Sequence, residues 1–139
     1  MERQAFTRSV KFLVDYNLRG QAVLLWGTLA SEGWLELLPI RFVNFEEVGL
    51  LADSSDHAVW QVAQNNRMFI LTANRNMKGD DSLEQIIREN NKSSSFPVVT
   101  ISNKERLDER TYRERCAIRL IETLIDVENY MGVGRIYIP

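Results

Sequence analysis

Oxygen-bearing side chains stand where the predicted strands and helices of this chain begin or end. In an open α/β sheet, ligands bind in the crevice beyond the carboxyl ends of the strands, so side chains that follow neighbouring strands converge there. Hard oxygen donors are the ligands that Mg²⁺ and Mn²⁺ prefer. The sequence therefore predicts a site for such an ion at this edge. The side chains concerned are Asp15 and Asn17 after one apolar run, Thr72, Asn74 and Asn76 after another, and Asp56 at the start of a helix.

A polar segment after the second of these runs carries further charged residues. Asp80 and Asp81 are candidate metal ligands, because the adjacent Gly79 gives the loop freedom to bend toward the crevice. The alternative is that both carboxylates lie in the first turn of the next helix, where the helix dipole favours negative charge. The cations expected near the crevice, where they would contact phosphate groups, are Lys11, Arg19, Arg75 and Lys78.

Helix capping offers a structural explanation for part of this set. Asp53 and Asp56 belong to a tetrad with Ser54 and Ser55, directly before a helical pattern that needs an N-cap oxygen. Asp15 is harder to explain in this way, because it directly follows a buried strand and an unpaired carboxylate is costly to bury. A functional role is therefore more natural for Asp15 than for the tetrad.

Several other reactive residue types are expected to be structural. Arg106, Arg110 and Arg113 share a helical face, which neighbouring glutamates are expected to neutralise in solvent. His57 is expected to be exposed in the first turn of a helix, and Cys116 falls on an apolar stripe typical of a core. A single cysteine also excludes an internal disulfide and a multi-cysteine metal site. Trp26 and Trp60 are expected to serve core or dimer packing.

The elements that must position the site alternate between strands and helices. Apolar, β-rich runs predict strands at residues 10–14, 37–45, 68–72, 96–101 and 135–138. Helical spacing predicts a helix from residue 19 to near Gly33, one after the capping tetrad, one from Ser82 to about residue 91, and a long one over residues 106–130. This succession predicts a three-layer α/β/α domain with a mostly parallel central sheet.

Composition sets the outer bounds of this interpretation. The 139 residues are 45% hydrophobic and 26% charged, which predicts one domain with a packed core over residues 1–139. The formal charge of −2 excludes the strong overall basicity of non-specific nucleic-acid binders. No apolar run approaches the roughly 20 residues needed to cross a bilayer, so we expect no membrane association and a cytoplasmic location.

Four short motifs, taken in order, resemble the PIN-like nucleases, and most closely a compact bacterial, toxin-type branch. The motifs are FLVDYNL at residues 12–18, the helix ending at Glu32-Gly33, Ser55-Asp56, and LTANRN at residues 71–76. The resemblance implies a Rossmann-like domain whose carboxylates bind one or two divalent metal ions and cleave RNA. It also implies a toxin of a toxin–antitoxin pair, with an antitoxin as partner.

The chain departs from that family pattern at its third strand. Asn74 and Asn76 stand where the pattern has two aspartates, so two negative charges are missing. Since activation of water by a bound ion depends on such charges, the loss would weaken or abolish catalysis unless Asp80 or Asp81 takes their place.

Two functions therefore stay open at this point. In the first, the chain is a metal-dependent ribonuclease: Asp15, Asp56 and Asp80 or Asp81 hold Mg²⁺ or Mn²⁺, while Asn17, Thr72 and Asn74 orient water or substrate, a role also assigned to Asn76. In the second, it is a degenerate domain that acts as a binding or scaffold module, with a homodimer built on its helices. Three or more convergent carboxylates would favour the enzyme.

Overall fold

The computed structural model describes residues 9–74 and 82–139. Its centre is a sheet of five parallel strands in the order β2-β1-β3-β4-β5. The strands are β1 (Val10–Val14), β2 (Ile40–Val43), β3 (Met68–Thr72), β4 (Val98–Ile101) and β5 (Arg135–Ile138). In the register of the central strands, Phe12 of β1 lies between Phe42 of β2 and Phe69 of β3. The expectation of a mostly parallel sheet is confirmed.

Helices follow the strands and cover both faces of the sheet. They are α1 (Arg19–Ser31), α2 (Trp34–Leu37), α3 (Asp56–Asn65), α4 (Leu83–Asn90) and α5 (Arg110–Ile125). Short 3₁₀ turns occupy Tyr16–Leu18, Phe45–Val48, Glu105–Asp108 and Val127–Asn129. The architecture is therefore a three-layer α/β/α Rossmann-like domain. Within the described ranges, no helix combines the length and the apolar character that crossing a membrane requires.

The two faces of the sheet bury separate apolar clusters. Alternate residues of a strand point to opposite faces, so Phe12 and Leu71 pack under α1 and α5. Leu13 and Ile70 instead pack under α3 and α4. Because both faces are covered, every residue of β3 is buried. This explains why β3 reads as an uninterrupted apolar run rather than an alternating one.

Strands β2 and β4 are shorter than the predicted ranges 37–45 and 96–101. Leu37 ends α2, and Pro39 has no N–H to contribute to the ladder, so β2 begins only at Ile40. At β4, Pro97 has the same effect. The Gln64 side chain instead holds Phe96, accepting from its N–H at 2.9 Å and donating to its carbonyl at 2.8 Å.

The long helix predicted over residues 106–130 is divided in the structure. Glu109 is extended, with φ −89° and ψ 126°, and separates a 3₁₀ turn from α5. Asp126, with φ −110° and ψ 34°, ends α5 before the last 3₁₀ turn. These interruptions are brief, so the apolar spacing continues across them and the sequence pattern reads as a single helix.

Candidate active site at the carboxyl edge of the sheet

The strand order places Asp15 beside the end of β3. Strand β1 lies between β2 and β3, so the connections from β1 and β3 diverge and open a crevice at their carboxyl ends. The Asp15 backbone N–H donates to the Leu71 carbonyl at 2.9 Å. The Thr72 hydroxyl donates to Asp15 Oδ2 at 2.7 Å and accepts from the Asn74 N–H at 2.9 Å. These bonds hold the Asp15 carboxylate at the crevice, and its side chain caps no helix.

Asp56 enters the same crevice from the first turn of α3. Ser55 is the N-cap of that helix, since its Oγ accepts from the Ala58 N–H at 3.1 Å. Capping therefore does not explain Asp56, whereas it does explain Ser55. The neighbouring Asp53 is exposed and does not line the cavity described below.

The environment of Asp56 disfavours its negative charge. Burial raises the pKa of Asp56, and the nearby charge of Asp15 raises it further. The Leu83 backbone amide, the Asn74 side-chain amide and the Arg135 guanidinium act in the opposite direction by stabilising the carboxylate. The two aspartates are thus close enough to repel each other, in a partly desolvated position.

A cavity of about 350 Å³ connects these groups. Its floor is apolar, with Val59, Ile70 and Leu83 beneath the polar rim. The structure therefore brings together five of the side chains that the sequence predicts for the site. They are Asp15, Asn17, Asp56, Thr72 and Asn74.

The remaining predicted site residues have different outcomes. Arg75, Asn76, Lys78, Asp80 and Asp81 lie outside the described residues, so their roles stay predictions. The expectation for Lys11 is wrong, because it is the second residue of β1 and lines a different cavity with Ser9 and Arg67. Arg19 lies 3.8 Å above the Tyr16 ring and 3.6 Å from Glu46, and it does not line the 350 Å³ cavity.

Sequence reasoning missed Arg135, which lies beneath the site. Its guanidinium Nη1 donates to the Asn74 carbonyl at 2.9 Å and to Thr100 Oγ1 at 2.7 Å. Its Nε donates to Glu84 Oε1 at 3.2 Å, and only 7% of the side chain is exposed. Arg135 thus joins β5 to β4, to the end of β3 and to the first turn of α4. The available signal was an arginine at the head of the apolar strand Arg-Ile-Tyr-Ile.

Lys104 is the second residue that sequence reasoning missed. It lines the cavity together with Asp15 and Asp56, three residues after β4 ends. Its position after a parallel strand is the same signal that pointed to Asp15. An ammonium group at this rim provides positive charge for an anionic ligand.

The expectations outside the site have mixed outcomes. Arg106 pairs with Glu109 at 3.1 Å and Arg110 pairs with Glu114 at 3.0 Å, so the expected neutralisation is confirmed for these two arginines. The expectation of one shared solvated helix face is wrong, because Arg106 lies in a 3₁₀ turn before α5 and the half-buried Arg113 donates instead to Thr28 Oγ1 and to the Leu107 carbonyl. Cys116 is fully buried, and burial raises the pKa of its thiol to about 12, so it is a core residue rather than a nucleophile. His57 is exposed.

The donor set of the cavity fits one hard divalent cation. In the part of the chain that the structure describes, no three His, Cys, Asp or Glu side chains cluster as metal ligands. Asp15 and Asp56 converge as a pair, with amide and hydroxyl oxygens around them. Among the described residues this is one carboxylate fewer than the three that would favour the enzyme over a binding module. A pair is sufficient for Mg²⁺, which usually keeps several waters and is bound through one or two carboxylates together with substrate phosphates.

The chain was compared with protein-family models, with curated proteins and with solved structures, and none of the three comparisons gave a match.

Proposed function

We propose that the chain is a Mg²⁺- or Mn²⁺-dependent ribonuclease of the PIN-like type, with Asp15 and Asp56 as the metal ligands. The observation that carries this proposal is that Asp15 and Asp56 line the same cavity, where burial first and the charge of Asp15 second raise the pKa of Asp56. The choice of RNA as substrate rests on the resemblance of residues 12–18, 55–56 and 71–76 to that family.

The carboxylate pair is difficult to explain by folding alone. Ser55 caps α3, so Asp56 is not needed to begin the helix. Placing it near Asp15 costs free energy, because like charges in a partly buried site repel. Carboxyl groups whose pKa is raised by burial and by a neighbouring charge, as that of Asp56 is, are concentrated at functional sites. Asp15 and Asp56 would hold a divalent cation, whose positive charge would offset this repulsion.

Each neighbouring group has a definable task in this proposal. The ion, when bound, supplies positive charge that stabilises the negative charge developing on the phosphate. Thr72 fixes one oxygen of Asp15 through its 2.7 Å hydrogen bond. Lys104 at the rim attracts the phosphate of the substrate, and Asn17 borders the space that the nucleotide would enter.

One observation favours the second function, a binding module without hydrolytic activity. Asn74 contributes a neutral amide where the resembled pattern has a charged aspartate, and the Arg135 guanidinium already offsets part of the negative charge of Asp56. A site neutralised in this way would bind RNA, or a protein partner such as an antitoxin, without cutting it.

Two measurements on four proteins test the proposal. Mn²⁺ binding by calorimetry and cleavage of a labelled RNA are followed in the wild type and in Asp15→Asn, Asp56→Asn and Asp53→Asn. We expect the first two substitutions to abolish both signals, because each removes half of the charge that holds the ion. Asp53→Asn is the matched control, since Asp53 is exposed and outside the cavity. It should behave as the wild type does.

The outcomes separate the two functions. Mn²⁺ binding that depends on Asp15 and Asp56, without cleavage of RNA, would support the binding module. Absence of both Mn²⁺ binding and cleavage in the wild type would show that the metal-dependent ribonuclease is the wrong function for this site.

A further inference from the structure

The solvent face of α1 is almost free of charge. Between Arg19 and Glu32 the helix contains no charged residue. Its exposed positions recur at helical spacing, and they include Val23, which is 70% exposed, and Leu24, which is 40% exposed. A surface helix normally carries polar and charged side chains on the face opposite the core. The outer face of α1 is therefore apolar where water would favour polar groups.

The adjacent helix α5 also exposes large apolar side chains, although these stand among exposed charged residues such as Arg115 and Glu122. It covers the same sheet face as α1, and the Arg113 guanidinium donates to Thr28 Oγ1 of α1 at 3.2 Å. Ile118 and Ile125 on its outer side are 48% and 64% exposed. On the other side of the sheet, the described outer positions of α3 and α4 carry no large exposed hydrophobic residue. A contiguous exposed apolar surface of this kind marks a candidate interaction site.

Two glycines of α1 are not required by the packing of the monomer. A Cβ added at Gly20 or at Gly27 would meet no atom within 4 Å outside the helix itself. Glycine inside a helix is also less favourable than alanine, because it loses more backbone freedom on folding. Both glycines lie on the exposed face with Val23 and Leu24. Because glycine has no side chain, these two positions would allow another helix to pack closely against this face.

We propose that this face of α1 is the interface between two copies of the chain, with their α1 helices packed antiparallel about a two-fold axis. Charge supports a second copy as the occupant, because Arg19 begins the helix, Glu32 follows its end, and both are exposed. The pair that Arg19 makes with Glu46 of its own chain is also exposed and therefore weak, so it does not prevent a contact with Glu32 of a second copy. An antiparallel pair places Arg19 of each copy beside Glu32 of the other. The uncharged segments of the two α1 helices then pack against each other without repulsion between like charges.

The same arrangement is complementary in shape. Aligning Arg19 with Glu32 of the second copy places Leu24 opposite Gly27 of that copy, once on each side of the two-fold axis. A large side chain then faces a position that has none, which is how ridges of one helix fill the grooves of another. The proposal does not depend on the metal site, so its test is independent of the proposed ribonuclease activity.

The first test is the mass of the protein in solution, measured by sedimentation over a dilution series. The wild type is expected at twice the chain mass of 16.1 kDa. Gly27→Glu should weaken self-association more than about tenfold, because it places a charge against a leucine of the second copy. The space around Gly27 is open in the monomer, so the melting temperature of the monomer should not fall. The matched control is Gln61→Glu on the exposed face of α3, which should stay dimeric.

A charge exchange tests the antiparallel orientation. Glu32→Arg should weaken the dimer, and the double variant Arg19→Glu with Glu32→Arg should restore it, since the pairing is re-formed with reversed signs. A wild type that sediments at 16.1 kDa at every concentration would overturn the proposal and leave the face for a different protein. A dimer that survives Gly27→Glu, or a double variant that associates no better than Glu32→Arg, would also overturn it.

Discussion

Replacing the buried Arg135 by methionine should be among the most destabilising single changes in this chain. The substitution keeps an unbranched apolar stem but removes the guanidinium from a side chain that is 7% exposed. It removes one donor each from the fully buried Thr100 hydroxyl, the Asn74 carbonyl and the Glu84 carboxylate, of which Glu84 keeps its pair with Arg88 at 3.7 Å. Removing one partner of a buried ion pair costs about 3–5 kcal/mol. Because Glu84 stays 20% exposed and keeps some hydration, we expect a loss of about 3 kcal/mol in the free energy of unfolding.

Urea unfolding followed by tryptophan fluorescence measures this loss. Arg135→Met, Glu84→Gln and the double variant form a cycle, and the double variant should be more stable than the sum of the single effects predicts. Arg106→Met is the control, since Arg106 is 45% exposed and its pair with Glu109 should contribute less than about 1 kcal/mol. If Arg135→Met costs no more than this control, the guanidinium does not hold the β4, β5 and α4 elements together, and our account of the site's support is wrong.

Two further predictions concern the charge of the site. The raised pKa of Asp56 means that the folded state holds this proton more tightly than the unfolded state. Protonated Asp56 therefore stabilises the folded state. This contribution is fully present when the pH is below 3.8, the ordinary pKa of an aspartate, and it is lost as the pH rises through the raised pKa of Asp56. Thermal melts from acid to neutral pH without metal should show this decline, and Asp15→Asn should reduce it. Asn74→Asp should lower the melting temperature measured without metal, and it should enlarge the increase in melting temperature that Mn²⁺ causes. If Mn²⁺ raises the melting temperatures of the wild type and of Asn74→Asp equally, no metal ion binds near residue 74.

The local pattern of apolar and polar residues was sufficient to predict strands whose ends are determined by neighbouring residues in the sequence. Strands β1, β3 and β5 begin and end as predicted, because polar residues, a glycine or a proline stand at or next to the ends of each apolar run. The first residue of β4 was harder to predict from the local sequence. Pairing there begins after Pro97, and the preceding residue is held by Gln64 from α3, 32 positions earlier in the chain. A contact over such a distance leaves no trace in the local sequence.

The same distinction applies to the site. Asp15 and Thr72 were predictable, because each stands at the end of a strand and parallel strands bring such residues to one edge. The alternatives for Asp56 were separated only by the structure, in which Ser55 provides the cap. Arg135 was not predictable from its neighbours, since its hydrogen bond to Asn74 joins residues 61 positions apart.

Together with the Leu83 backbone amide, the side-chain amide of Asn74 helps the folded chain to tolerate the carboxylate pair. The Asn74 side chain hydrogen-bonds to Asp56 and stabilises the charged carboxylate, as the Arg135 guanidinium does from beneath. A carboxylate at the same position would add a third negative charge to two that already repel. Such a site would attract a divalent cation more strongly but would be less stable without one. The asparagine therefore gives up affinity for the ion in exchange for a site that holds its shape when no ion is bound. If the proposed ribonuclease function is right, this balance predicts weak metal binding without substrate and tighter binding when a substrate phosphate adds its oxygen ligands.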